Sequence, residues 1–235
     1  MVEFLYENKE LRNNDITTLN GYIENSKGEI VNLTIEKADK KILPNGKAVI
    51  YAYGEVPKSF ESQRVNIYVG ESVPSESEEE LTNVMVNSVQ FQHLVKETKP
   101  LDSVREFVFG QYDIKLTGIL GILGSSDGFT PDKVDLNFDY NINLVDGAPE
   151  YVADQQLVFE YVDKNVKSVK FSKAFKLGGT DENSLQIGSS QTATISYTHP
   201  SLAYIGLGEF DLNVYHQYKG YKKLIATQTM DFGSN

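Results

Sequence analysis

Apolar and polar residues alternate without interruption between Val134 and Leu144, where the chain reads Val-Asp-Leu-Asn-Phe-Asp-Tyr-Asn-Ile-Asn-Leu. Successive side chains of a β-strand point to opposite faces, so this pattern predicts a strand from Lys133 to Val145 with one packed and one hydrated face. Half-buried strands of this kind are typical of antiparallel sheets. The predicted inner row consists of Val134, Leu136, Phe138, Tyr140, Ile142 and Leu144.

Most of the chain follows the same pattern, and helix is predicted only as a single turn after Pro100. The fold class predicted is therefore all-β, built from antiparallel sheets. The predicted strands are 16–24, 29–36, 47–54, 63–69, 83–95, 106–123, 133–145, 155–162, 168–176, 191–198, 209–218 and 221–231.

Three turn sequences separate these strands. Asn25-Ser-Lys-Gly28 predicts a hairpin turn, Leu43-Pro-Asn-Gly46 interrupts the chain before the third strand, and Lys219-Gly220 joins the last two strands. We expect Gly220 to adopt the positive φ that the closing hairpin requires.

The clearest predicted boundary is an acidic segment, 71–82, which begins Glu-Ser-Val-Pro-Ser-Glu-Ser-Glu-Glu-Glu. It offers little to bury, and its like charges repel each other and extend the chain, which is typical of a linker. The alternative is an acidic surface loop within one domain. The linker interpretation predicts a small β-sandwich domain over 1–70 and a larger one over 83–235.

Composition limits the function further. The 235-residue chain carries a net charge of −11, which disfavours nucleic-acid binding, because phosphate recognition depends on clustered Lys and Arg. The chain contains no cysteine, so disulfides and thiolate chemistry are excluded. No apolar run is long enough for a transmembrane helix. The first ten residues lack the basic start and apolar stretch of a secretion signal, so we expect either a protein that stays inside the cell or one from which a signal was removed.

The first half also resembles a known family. The segment Leu19-Asn-Gly-Tyr-Ile-Glu-Asn25, the strand Val31–Ile35 and the Leu43-Pro-Asn-Gly46 turn resemble the immunoglobulin-like, FxLYD-type modules of Gram-positive bacterial surface lipoproteins over about residues 16–54. The aromatic-Leu-Tyr-Asp stretch of that family is missing here. The resemblance implies tandem immunoglobulin-like sandwiches, display outside the cytoplasm, and binding or scaffolding without catalytic residues.

A lysine series forms the first candidate site. Lysines recur at every third residue from Lys164 to Lys176. They predict either an edge strand protected against aggregation or a contact patch for an acidic partner, such as a phosphate-bearing cell-wall polymer or anionic lipid headgroups. The lysine series is Lys164, Lys167, Lys170, Lys173 and Lys176.

A tyrosine group near the end of the chain forms the second candidate. Tyrosine combines apolar area with a hydroxyl, so the group could stack on sugar rings or anchor a protein interface, while core packing is the alternative. The tyrosine group is Tyr204, Tyr215, Tyr218 and Tyr221.

Other motifs predict no catalytic or metal site. Gly124-Ser-Ser-Asp-Gly128 matches a nucleophile elbow, but a strand and not a helix follows it, so a loop is expected. The histidines, His93, His199 and His216, lack metal-ligand spacing. A loop calcium site, for example at Asp127 with Asp132, stays open. No cofactor is expected.

These observations favour a non-enzymatic surface module, extracellular or anchored to the cell surface after removal of a signal. The alternative is a phage or virion structural protein that assembles through sheet edges, which applies, with a cytoplasmic or virion location, if Met1 is the native start.

Overall fold

A computed structural model describes residues 1–15, 18–35, 41–61, 63–74, 83–95, 99–145, 151–152, 155–166, 169–204 and 208–232. Strands dominate these residues, and their sheets are almost entirely antiparallel, which confirms the predicted all-β class. The described helical segments are short 3-10 turns at Lys58–Phe60 and Pro200–Tyr204. No helix in this part of the chain has the length and apolar character needed to cross a bilayer.

The chain divides into two compact units. Unit 1 contains Met1–Thr98 and Pro149–Ala153, and unit 2 contains Lys99–Ala148 and Asp154–Asn235. The strands of unit 1 are β1 (Val2–Glu7), β2 (Asn14–Asp15), β3 (Leu19–Glu24), β4 (Ile30–Ile35), β5 (Lys41–Ile42), β6 (Lys47–Tyr53), β7 (Arg64–Pro74), β8 (Asn83–Leu94) and β12 (Tyr151–Val152). Those of unit 2 are β9 (Glu106–Phe109), β10 (Tyr112–Gly124), β11 (Lys133–Leu144), β13 (Gln156–Asp163), β14 (Lys170–Leu177), β15 (Ser184–Leu185), β16 (Gly188–Thr198), β17 (Glu209–Tyr218) and β18 (Tyr221–Asp231).

Unit 1 is enclosed by one curled sheet in the order β1-β6-β4-β3-β7-β8, and β12 pairs in parallel with β6. Phe4 on β1 and Phe91 on β8 come from opposite ends of this sheet, yet their ring centroids are 5.3 Å apart. The sheet therefore curls until its two ends share a core with Ile23, Phe60 and Ile67.

The acidic segment lies within unit 1. Residues 71–74 belong to β7, which pairs with β8 as far as Pro74 opposite Asn83, and residues 75–82 lie outside the described part of the chain. The segment thus connects two neighbouring strands of one sheet, and the structure places the boundary between the units after Thr98. The sequence pattern could not show that the strands flanking this segment pair with each other.

Unit 2 is a β-sandwich of a four-stranded sheet, β16-β11-β10-β9, and a five-stranded sheet, β15-β14-β13-β17-β18. Aromatic rings join the sheets, with Phe138 of β11 lying 5.1 Å from Phe159 of β13 between centroids. The predicted inner row of β11 is buried from Val134 to Ile142, but Leu144 is 54% exposed. Leu144 is the last residue of its strand and belongs to no core cluster, so its predicted burial was wrong.

The predicted turns at Asn25–Gly28 and Leu43–Gly46 are confirmed by the hydrogen bonds Gly28 N to Asn25 O and Gly46 N to Leu43 O. The closing hairpin also turns where predicted, but Lys219 and not Gly220 adopts the left-handed φ, of 52°. The predicted strand 106–123 is interrupted by a further hairpin at Gly110, whose φ is 56°.

Candidate functional site

The candidate site lies on the outer face of the five-stranded sheet in unit 2. Alternate residues of β17, from Phe210 to Tyr218, are buried against the sandwich core, which leaves Asp211, Asn213, Tyr215 and Gln217 on the outer face. Strand pairing extends this face across the sheet, because Gln217 lies opposite both Gln156 of β13 and Lys222 of β18. Polar residues of three neighbouring strands are thus held in one row.

Glu160 organises the centre of this face. Its carboxylate accepts hydrogen bonds from Tyr215 Oη at 2.7 Å and Asn213 Nδ2 at 3.4 Å, and Lys222 Nζ lies 3.5 Å from Oε2. Partial burial alone would raise the pKa of Glu160, but the Tyr215 hydrogen bond and the Lys222 charge together hold it below its usual value. Glu160 is therefore a charged structural acceptor.

Tyr215 is fixed by the same contacts. Burial, and then the hydrogen bond to Glu160, raise the pKa of Tyr215 to about 12, so the phenol stays protonated at neutral pH. Lys222 Nζ lies 3.9 Å from the ring centroid, in cation–π geometry. One face of this ring is covered by the ammonium group and is not available to stack on a ligand.

A pocket of about 270 Å³ opens at the end of the row beside the closing hairpin. Gln217 Nε2 donates to Gln156 Oε1 at 3.1 Å, which ties two of the lining amides together. The third lining amide belongs to Gln155. Only glycine at position 110 leaves room for it, because a Cβ there would lie 2.5 Å from Gln155 Nε2. The pocket is lined by Gln155, Gln156, Lys176, Gln217 and Lys219, which we call the amide–lysine pocket.

The chemistry of the amide–lysine pocket suits an anionic group that carries hydroxyls. Lysine ammonium groups donate only, whereas glutamine carboxamides both donate and accept. Lys176 and Lys219 place two positive charges at this pocket in a chain whose net charge is −11. A phosphate or carboxylate next to a sugar hydroxyl would match both groups of side chains.

The lysine series does not form one patch. Lys170 and Lys176 are exposed on β14, and Lys176 lines the pocket. Lys173 points the other way, because it lies opposite the buried Phe159 and its Nζ bonds Asn183 Oδ1. Lys164 pairs with Asp211 at 3.4 Å. Lys167 lies outside the described residues. The three-residue spacing combined with the two-residue period of a strand divides the series between both faces.

The tyrosine group is also divided. Tyr215 faces outward, whereas Tyr218 is buried and Tyr221 is half-buried. Tyr204 ends the 3-10 turn Pro200–Tyr204, and its side chain lies outside the described part of the structure. Tyr215 and Tyr218 are three positions apart on one strand, so they point to opposite faces.

The Gly-Ser motif and the candidate calcium residues lie at the loop between β10 and β11. The Gly124–Gly128 segment forms the loop between β10 and β11, as expected. Asp127 accepts hydrogen bonds from Ser125 Oγ and the backbone N–H groups of Thr130 and Phe129, which lower the pKa of Asp127 to about 2. Asp132 accepts from Ser126. Within the described ranges no three His, Asp or Glu side chains are grouped as a metal site.

The sequence interpretation missed most of the pocket. Gln155, Gln156, Gln217 and Lys219 were not selected, although Lys219 was recognised as a turn residue. The alternation of buried residues along β17 would have placed Gln217 on the outer face. Its position opposite Gln156 depends on pairing with β13, a strand far away in the sequence.

The chain matches no protein-family model, and no curated protein is similar to it.

Proposed function

We propose that this protein is a non-enzymatic binding module that acts outside the cytoplasm at a cell surface, and that its amide–lysine pocket binds anionic groups of a hydroxyl-rich polymer. The observation that supports this is the convergence of Lys176 and Lys219 with three glutamine side chains in one pocket. A phosphate-bearing cell-wall polymer has this chemistry. The surface location comes from the resemblance of residues 16–54 to lipoprotein modules.

Retention on purified cell walls tests the proposal. Replacing both pocket lysines, Lys176→Gln with Lys219→Gln, removes two cationic donors and should weaken retention at least about tenfold. Lys170→Gln is the matched control, since Lys170 is exposed on the same strand but does not line the pocket. Equal retention of the double variant and the control would refute the pocket as the site.

The non-enzymatic part of the proposal needs a separate assay. Incubation with cell-wall glycans and with unfolded protein substrates should release no product above the level of a heat-inactivated sample. Any turnover that disappears after heat inactivation would overturn this part and leave the binding proposal to the retention assay.

A second candidate function is a structural protein that assembles through sheet edges. It is favoured by two long edge strands, β8 and β16, of 12 and 11 residues, which contain no Lys, Arg, Asp or Glu. Light scattering separates the candidates, because a closed ring or trimer supports assembly and a species of one or two chains supports the surface module.

A further inference from the structure

Strand β8 has an open edge. It pairs with β7 on one side and ends the sheet order of unit 1, and no described strand pairs with its other side. An unpaired edge presents a row of backbone N–H and C=O groups that can accept another strand. Proteins usually protect such edges with charges, prolines or short strand length.

β8 has none of these protections. From Asn83 to Leu94 it reads Asn-Val-Met-Val-Asn-Ser-Val-Gln-Phe-Gln-His-Leu, without a single Lys, Arg, Asp, Glu or Pro. The other edge of the same sheet, β1, carries Glu3 and Glu7, and the edge strand β18 of unit 2 carries Lys222 and Lys223.

β8 also exposes apolar area. Val89 is 61% exposed and Leu94 is 43% exposed, although Val89 lies opposite the buried Val69. The second uncharged edge, β16, differs, because its exposed Thr192 and Ser196 bond Asp139 and Asp135 on the neighbouring strand. A strand added beside β16 would lie next to these hydroxyl side chains, whereas one added beside β8 would cover apolar side chains.

We propose that β8 of one molecule pairs antiparallel with β8 of a second copy of this chain, about a two-fold axis at Phe91. A second copy fits because β8 brings no charge to the seam, even though each chain has a net charge of −11. This inference goes beyond the ligand proposal and does not depend on the amide–lysine pocket, which belongs to unit 2.

A bulge determines the register. The pairing of β7 with β8 shifts between Val69 and Glu71, and Asn87 has a φ of 50°, so regular strand geometry covers residues 88–94. Phe91 is the midpoint of this stretch, so a two-fold axis there lets residues 88–94 of the two copies pair along their full length. Gln90 then lies opposite Gln92 of the second copy, and Val89 lies opposite His93.

Sedimentation equilibrium over a range of concentrations tests the pairing. The full chain should form dimers, and Val89→Lys should raise the dimer dissociation constant at least about tenfold by placing two charges in the seam. Val89 is mostly exposed, so the variant should fold. Ser189→Lys on β16 is the control and should dimerise normally. A monomeric full chain, or dimers unaffected by Val89→Lys, would overturn the proposal.

Cysteine cross-linking tests the register without disturbing the core. The chain has no cysteine, so the variants Gln90→Cys and Gln92→Cys each contain a single cysteine, and the two proteins can be mixed. Directly opposed residues lie within disulfide reach, whereas positions two residues out of register do not. Random pairing of the two proteins would give about twice as much mixed disulfide as either symmetric one, so a Phe91 axis should raise the mixed disulfide well above this ratio. A mixed disulfide at or below the random ratio would refute the axis at Phe91, and no cross-linking would refute the pairing.

Discussion

At the residue scale, the part of the chain that the structure describes has four buried polar side chains, those of Asn8, Asn25, Asp163 and His216. The first three bond backbone groups of turns. Asn25 Oδ1 accepts from Lys27 N and Glu29 N, and Asp163 Oδ1 accepts from Asn165 N and Val166 N. Buried polar groups are costly unless they are bonded, so these contacts fix the positions at which the chain reverses.

Asn8 provides a test of this role. Its Nδ2 donates to the carbonyls of Arg12, Ile42 and Leu43, and its Oδ1 accepts from Glu10 N. Asn8→Ala should lower the free energy of unfolding by about 2–3 kcal/mol, because backbone groups would lose their partners. Urea denaturation measures this. Asn32→Ala, at an exposed position of β4, should change stability by less than about 0.5 kcal/mol, and equal effects would contradict the assignment.

His216 should make stability depend on pH. It packs edge-on against Phe109 at 4.8 Å, and burial, with a smaller effect of the Lys223 charge, lowers the pKa of His216 to about 4. Below pH 6.5 the unfolded chain binds a proton at this residue that the folded chain does not. The contribution of His216 is therefore complete above about pH 6.5 and is lost as the pH falls toward 4, by roughly 3 kcal/mol.

Comparison of unfolding at pH 7 and pH 4.5 measures that loss. His216→Gln should reduce the difference, whereas His93→Gln, at an exposed position, should leave it unchanged. The same pH dependence in His216→Gln as in the unmodified chain would show that other groups cause it.

At the element scale, β11 shows what alternation determines. Leu136 and Phe138 are buried, while Asn137 Oδ1 on the opposite face accepts from Thr194 Oγ1 at 2.6 Å. Phe138→Ala should therefore cost about 3–5 kcal/mol of unfolding free energy through the cavity it leaves. Asn137→Ala, at an exposed hydrogen bond, should cost less than about 1 kcal/mol. Similar losses in denaturant titrations of the two variants would contradict the assigned faces.

Elements with weak local signals were not predicted. β12 and β15 are two residues long; β12 pairs with the distant strand β6, and β15 pairs with β14, the strand before it in the chain. β1 was missed although Val2, Phe4 and Tyr6 alternate with polar or exposed residues. The hairpin at Gly110 was read as continuous strand, since its flanking residues fit a strand on both sides.

At the scale of the whole molecule, net charge should govern the proposed dimer. Two copies of net charge −11 repel each other, whereas the seam formed by β8 contains no ion pairs. Added salt screens long-range repulsion, so the dimer dissociation constant should fall several-fold between about 50 and about 300 mM NaCl. Sedimentation at both salt concentrations measures it. A dimer dissociation constant that rises with salt would indicate attraction between unlike charges at the interface and would contradict a seam formed by β8.

The sequence by itself determined the all-β class, the inner and outer faces of strands such as β11, and the turns at Asn25–Gly28, Leu43–Gly46 and Lys219–Gly220, because side-chain alternation and turn geometry depend on neighbouring residues. Only the tertiary structure decided three further features. Lys176 and Lys219 line the same pocket, whereas Lys173 points to the other face of its sheet. The acidic segment lies between paired strands, and β8 is an open edge. Strand partners and sheet edges depend on contacts between segments far apart in the chain, and no local pattern records them.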